Sequence, residues 1–131
     1  MAAGRVSFVI LMIVGGTTWA ELPPAANRKV DFRKDIQPVF EKHCVRCHGA
    51  EKQEAGLRLD SRDEALNGGD SGPAWAAGDS ASSLLVQLVA GVDPDVVMPP
   101  DGEALSAEKI GLLRAWIDQG AVWPLGGKSQ P

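Results

Sequence analysis

Two cysteines and two histidines stand close together as His43, Cys44, Cys47 and His48, and the chain holds no others. Cys44-Val45-Arg46-Cys47-His48 has the C-x-x-C-H spacing that attaches a c-type haem. In that chemistry two thiols add to the two vinyl groups along one edge of a porphyrin. The two intervening residues bring both sulfurs to the same side of about one helical turn. His48 follows beneath the ring, where its imidazole binds iron. Three rival uses of these residues exist. A thioredoxin-like redox pair needs its C-x-x-C at the end of a strand in a βαβ pattern. A zinc site needs four ligands, and one short segment cannot easily wrap a tetrahedron around a metal. A structural disulfide between Cys44 and Cys47 closes almost no loop and stabilises little. His43 is read as a helix-surface residue facing away from the iron, or as a modest tuner of the haem edge.

Iron held by His48 has an open opposite face. Of three methionines, Met1 and Met12 lie in the first twenty residues, which leaves Met98. It sits in a loop pinned by Pro99 and Pro100, the kind of restrained segment that can hold a thioether over a ring. Met/His is a standard ligand pair in electron-transfer cytochromes and raises the reduction potential. With both axial positions filled, substrate or O₂ has poor access to the metal, so electron transfer is expected and catalysis at iron is not. A core methionine is the alternative reading. Arg46, Arg58 and Arg62 are candidate partners of the haem propionates.

The chain has 131 residues, 13 Lys+Arg and 17 Asp+Glu, for a net charge of -4. No basic stripe is present, so nucleic acid is not an expected partner. Arg5 is the only charge before Glu21, Val6–Val14 is apolar apart from Ser7, and small residues lead to Thr18-Trp19-Ala20. Residues 1–20 therefore read as a secretory signal peptide cleaved after Ala20. The apolar run is too short for an ordinary membrane span, although an uncleaved anchor is the alternative. Without residues 1–20 the balance is 12 basic to 17 acidic, or -5. A chain this small buries a modest fraction of its surface, and a covalent macrocycle would supply the missing core.

The elements that must position the site follow. Residues 21–30 hold Pro23, Pro24 and Asn27 and read as a flexible lead-in. Phe32, Ile36, Val39 and Phe40 share one helix face. Asp35 is the expected N-cap, which puts Pro38 in the first turn, with Gly49 as terminator. Leu57 and Leu59 alternate with polar residues in a short extended segment. Ser61-Arg62-Asp63-Glu64 fits a capping box for a helix to Asn67. Gly68–Pro73 is a loop. Asp79 is the expected cap of a helix containing Leu84, Leu85, Leu88 and Val89, closed by Gly91. The last helix has Ser106 as N-cap, Leu105 and Ile110 as hydrophobic staple, and Ile110, Leu113, Trp116 and Ile117 as its buried stripe. Gly120 closes it and Pro124 prevents continuation. Trp75, Trp116 and Trp123 are packing residues. The chain is mostly helix and loop.

Joined together, these residues resemble a class I cytochrome c, and more narrowly the planctomycete-type cytochrome c domain. The stretches that carry the likeness are Asp35–Phe40, Cys44–Gly49, Gly56–Asp60, Gly68–Pro73, Gly78-Asp79 with Ser83–Leu85, Met98-Pro99-Pro100, and Leu113–Asp118. The resemblance covers about residues 31–124. It implies a compact all-α domain around one covalent haem c, with N- and C-terminal helices crossing. It matches Cys44, Cys47 and His48 to the attachment residues and Met98 to the distal ligand. The remaining parts are the signal peptide 1–20, the lead-in 21–30 and a tail 125–131. In that family the domain is often the front of a larger protein, so the chain is either a stand-alone carrier or a haem domain cut from one. The expected role is that of an exported, periplasmic, monomeric electron carrier with transient redox protein partners. It would have no stable membrane span after signal cleavage. A haem-based ligand sensor or peroxidase-like enzyme with a labile sixth ligand is the alternative.

Overall fold

Asp31 opens the first helical segment in the computed structural model, which describes residues 21–125 together with Gly4. The expected signal segment, Gly4 apart, and the tail beyond Leu125 lie outside the described residues. Asp31 is extended, and its carboxylate accepts the Lys34 N–H at 2.9 Å, which satisfies one orphan donor of the first turn. Asp35, the expected cap, instead accepts the Asp31 N–H at 2.9 Å and a bidentate pair from Arg28 at 2.9 and 3.0 Å. The segment therefore starts four residues before the expected position.

Phe32–Ile36 forms one π-helical turn, closed by the Gln37 N–H on the Phe32 carbonyl, and runs directly into α1, Gln37–His43. Pro38 explains the wide turn. It offers no N–H, and its ring crowds the carbonyl four residues back. An i to i−5 turn just before it relieves that crowding. The helix ends at His43, before the cysteines and not at Gly49.

A short 3₁₀ turn, Glu54–Gly56, and three α-helices follow among the described residues. Helix α2, Arg62–Asn67, is capped by Ser61, whose hydroxyl accepts the Glu64 N–H at 3.4 Å. Helix α3, Leu84–Val89, starts after Ser83, not Asp79. Asp79 holds the preceding turn: its carboxylate accepts the Ser82 N–H and its carbonyl accepts the Ser83 hydroxyl. Helix α4, Ala107–Asp118, has Ser106 as N-cap, accepting the Lys109 N–H at 3.2 Å. At its end the Gly120 N–H reaches Ile117 and the Ala121 N–H reaches Trp116, the paired bonds of a Schellman motif. Gly120 has φ +108° there. No strand occurs among the described residues, only isolated bridges. The domain is all-α.

The core forms where the N-terminal segment lies against α4. Trp116 is 1% exposed, and Ile36, Leu113 and Ile117 are fully buried. Phe32 stacks on Trp123 at 4.3 Å, while Phe32 and Phe40 meet Trp116 at 5.6 and 5.8 Å. Trp75 meets Trp116 edge-on at 5.0 Å. Such pairs add about 0.5–1.5 kcal/mol each beyond the area they bury.

Residues 21–30 have no regular structure but run along α4. The Ala26 N–H donates to the Gly111 carbonyl at 2.9 Å, and Arg114 donates to the Pro23 carbonyl at 2.6 Å. Gln119 bridges the Val30 N–H and the Arg28 carbonyl. These bonds lay the segment along α4 and its C-terminal end.

Candidate functional site

The turn after α1 carries the C-x-x-C-H residues. The Val45 N–H closes on the Phe40 carbonyl, and the His48 N–H closes on the Cys44 carbonyl at 2.8 Å. Cys44 is thereby drawn into the core while Cys47 stays half-buried, and both are free thiols. Gly49 is needed here for a reason other than helix termination: a Cβ at this position would collide with the Val45 carbonyl oxygen. The turn is then held from outside, because the Leu59 N–H donates to the His48 carbonyl at 2.7 Å.

His48 is oriented by its backbone neighbour. Its Nδ1 lies 3.3 Å from the Leu57 carbonyl oxygen. A carbonyl accepts only, so Nδ1 donates here and Nε2 is the ring nitrogen left to meet a metal. Such a hydrogen bond fixes tautomer and ring angle in a metal-ligating histidine. The residue types gave no hint of this contact, since any side chain at position 57 presents the same carbonyl. The alternation Leu57-Arg58-Leu59 signals only the extended backbone that aims it.

His48, Cys44, Cys47 and Met98 line one cavity of about 340 Å³. Its remaining wall is largely apolar, with Leu57 and Leu59 on one side and Leu84, Leu88 and Val89 of α3 on another. Met98 reaches it from the α3–α4 loop, tied down by its N–H on the Leu88 carbonyl at 3.0 Å. The four residues singled out by type and spacing thus share one hollow. Two thiols, an imidazole and a thioether around an apolar cavity form the donor set a c-type haem requires, so the residues present fit that group.

Arg46, Arg58 and Arg62 are not among the residues that line the cavity. Arg58 is engaged by Asp60 at 2.7 and 2.9 Å, and Arg62 lies 3.2 Å from Asp63. His43 is not a free helix-surface residue. It is half-buried, lines the cavity, and places Nε2 3.0 Å from Lys109 Nζ of α4. The polar lining also includes Asp70 and Ser71.

The rival chemistries lose support. Burial pushes the Cys44 thiol up to about 12, with the neighbouring Cys47 adding to the effect. A thioredoxin-like pair needs the opposite, a lowered thiol pKa. No group of three or more His, Cys, Asp or Glu side chains able to hold a metal ion occurs among the described residues.

Charge is divided around the cavity. From Asp63 to Glu108 the chain has nine acidic residues and no Lys or Arg. Asp93, Asp95, Asp101 and Glu103, in the loop that carries Met98, are all exposed. Around the cysteine turn exposed Lys42, Arg46 and Lys52 alternate with exposed Glu41, Glu51 and Glu54, and residues 28–62 as a whole hold nine Lys or Arg against six Asp or Glu.

Residues 44–102 match a family model described as Planctomycete cytochrome C. That stretch runs from the first attachment cysteine past Met98-Pro99-Pro100. With the helical shell and the C-x-x-C-H cavity, it makes this a cytochrome c domain, a class that generally carries electrons on haem c and is typically exported. Within the class, the match of residues 44–102 supports the planctomycete type. No curated protein and no solved structure gives a significant match. No described helix is long and apolar enough to cross a membrane.

Proposed function

We propose that this chain is an exported, periplasmic mono-haem electron carrier, with Cys44 and Cys47 as thioether attachment residues and His48 and Met98 as axial ligands. The observation that carries this reading is the convergence of those four side chains on one apolar cavity. Haem c supplies a one-electron Fe(III)/Fe(II) couple. The chain's own residues then do the rest. The Leu57 carbonyl orients the His48 ring through Nδ1, the Leu88 carbonyl anchors the Met98 backbone, and the leucines of α3 keep water off the site. Filled axial positions suit outer-sphere electron exchange with transient protein partners, a role without enzymatic turnover. The chain works as a monomer in this reading, without a stable membrane span once residues 1–20 are removed.

Co-expression with haem-attachment machinery tests it. Intact mass must rise by one haem, and Cys44→Ala with Cys47→Ala must abolish the covalent increment. A mature chain without covalent haem overturns the proposal. Met98→Ala is expected to remove the thioether-ligated signature from the spectrum and to open the iron to CO. Strong CO binding by the unmodified protein would favour a ligand sensor or peroxidase-like enzyme instead.

A further inference from the structure

The Lys109–His43 contact joins two elements at the cavity wall. His43 ends α1 and lines the cavity; Lys109 stands in the first turn of α4. Their nitrogens are 3.0 Å apart. An ammonium can only donate, so His43 Nε2 accepts and its ring is neutral, with the proton on Nδ1. The pair therefore holds one positive charge beside the cavity and leaves one basic site that a proton can occupy only by breaking the contact.

We propose that the His43–Lys109 pair tunes the reduction potential of the bound haem and links it to proton uptake at His43 Nε2. This deepens the carrier reading above and rests on it. A fixed cation beside the site favours the less positive, reduced iron. When one electron arrives from an external donor such as dithionite or a poised mediator, the site loses one positive charge. Protonation of His43 then costs less, and one proton passes from solvent to Nε2 as the Lys109 N–H···Nε2 bond opens.

The surroundings set where this happens. Burial holds His43 below the ordinary imidazole range. Lys109 on α4 and Lys42 on α1 push the same way, and Glu103 from the α3–α4 loop opposes them. Proton uptake on reduction thus falls on the acid side of the usual histidine range. There the potential rises as pH falls, with a limit of one tenfold change in the reduction equilibrium per pH unit, about 59 mV for one electron.

The test is potentiometric titration of the covalently loaded protein between about pH 5 and 8. The unmodified protein is expected to show a flat potential at the alkaline end and a rise toward the acid end. His43→Gln should abolish the rise. Lys109→Met should lower the potential at the alkaline end and move the rise to higher pH, because His43 loses its cationic neighbour. Lys109→Arg should restore both features. Ring NMR of His43 should give a higher pKa in the ferrous than in the ferric protein. A potential independent of pH in the unmodified protein, or an unchanged rise in His43→Gln, overturns this inference and leaves the carrier reading standing. Absence of covalent haem or of any reversible couple defeats the carrier reading itself.

Discussion

Gly49 shows how a single missing atom shapes the site. Its hydrogen sits where any Cβ would strike the Val45 carbonyl. Gly49→Ala must push the turn open, and overpacking of this kind costs about 1–3 kcal/mol. The expected result is a lower yield of covalent haem per chain, measured by intact mass, while variation at exposed Arg46 leaves the yield unchanged. Acid sensitivity also belongs to single residues. The Arg28 hydrogen bonds hold the Asp35 carboxyl below its ordinary value, and Arg58 does the same for Asp60. In both cases the unfolded chain binds protons more readily, so their stabilisation is present above a pH of 3.8, the ordinary carboxylate value, and is lost as pH falls through the lowered folded values. Arg28→Ala should flatten that part of the stability–pH curve, read by thermal melting at stepped pH. Cys44, Cys47, His48 and Met98 could be singled out from the sequence because scarcity and spacing isolate them. The roles of Gly49, Leu57 and Lys109 could not, since they act through a backbone approach or a contact spanning 66 residues.

Helix α4 does the most to assemble the domain, and it was also the most legible element. Its N-cap, staple, buried stripe and closing glycine are all local signals, and the observed helix uses each of them. The first helical segment and α3 start elsewhere than expected because in each the acidic residue expected as cap is engaged in other bonds. Asp31 outcompetes Asp35, which Arg28 has claimed, and Ser83 follows Asp79 after one extra turn. The contacts of the lead-in were illegible because they are long-range: its partners are the Gly111 carbonyl and Arg114 side chain of α4 and the side chain of Gln119, which caps that helix. Two predictions test this assembly. Trp116→Ala removes the ring that Phe32, Phe40 and Trp75 all touch and should cost about 3–5 kcal/mol by denaturant titration. Gly111→Ala places a Cβ 2.8 Å from the Pro24 carbonyl oxygen. It should displace the lead-in, exposing the amides of residues 25–30 to faster hydrogen exchange, while the absorption spectrum of the haem is unchanged. Unaltered exchange there would show that the lead-in docks without that close approach.

At the scale of the whole molecule, the division of charge around the cavity acts beyond any one contact. A net charge of -4 describes the chain poorly, because residues 63–108 hold nine acidic residues and no Lys or Arg, whereas residues 28–62 hold nine Lys or Arg against six Asp or Glu. Such a particle has a preferred orientation in an electric field, as well as a sign. Near a charged film within a Debye length, about 10 Å at 0.1 M salt, it turns before it touches. An electrode coated with amine groups should adsorb it with the Met98 loop facing the metal. A carboxylate coating should take it by the opposite flank. Film voltammetry would then give two different interfacial electron-transfer rates from one protein, converging as salt is raised. Identical rates on both coatings at low salt would mean that the asymmetry in sequence does not survive as a molecular dipole.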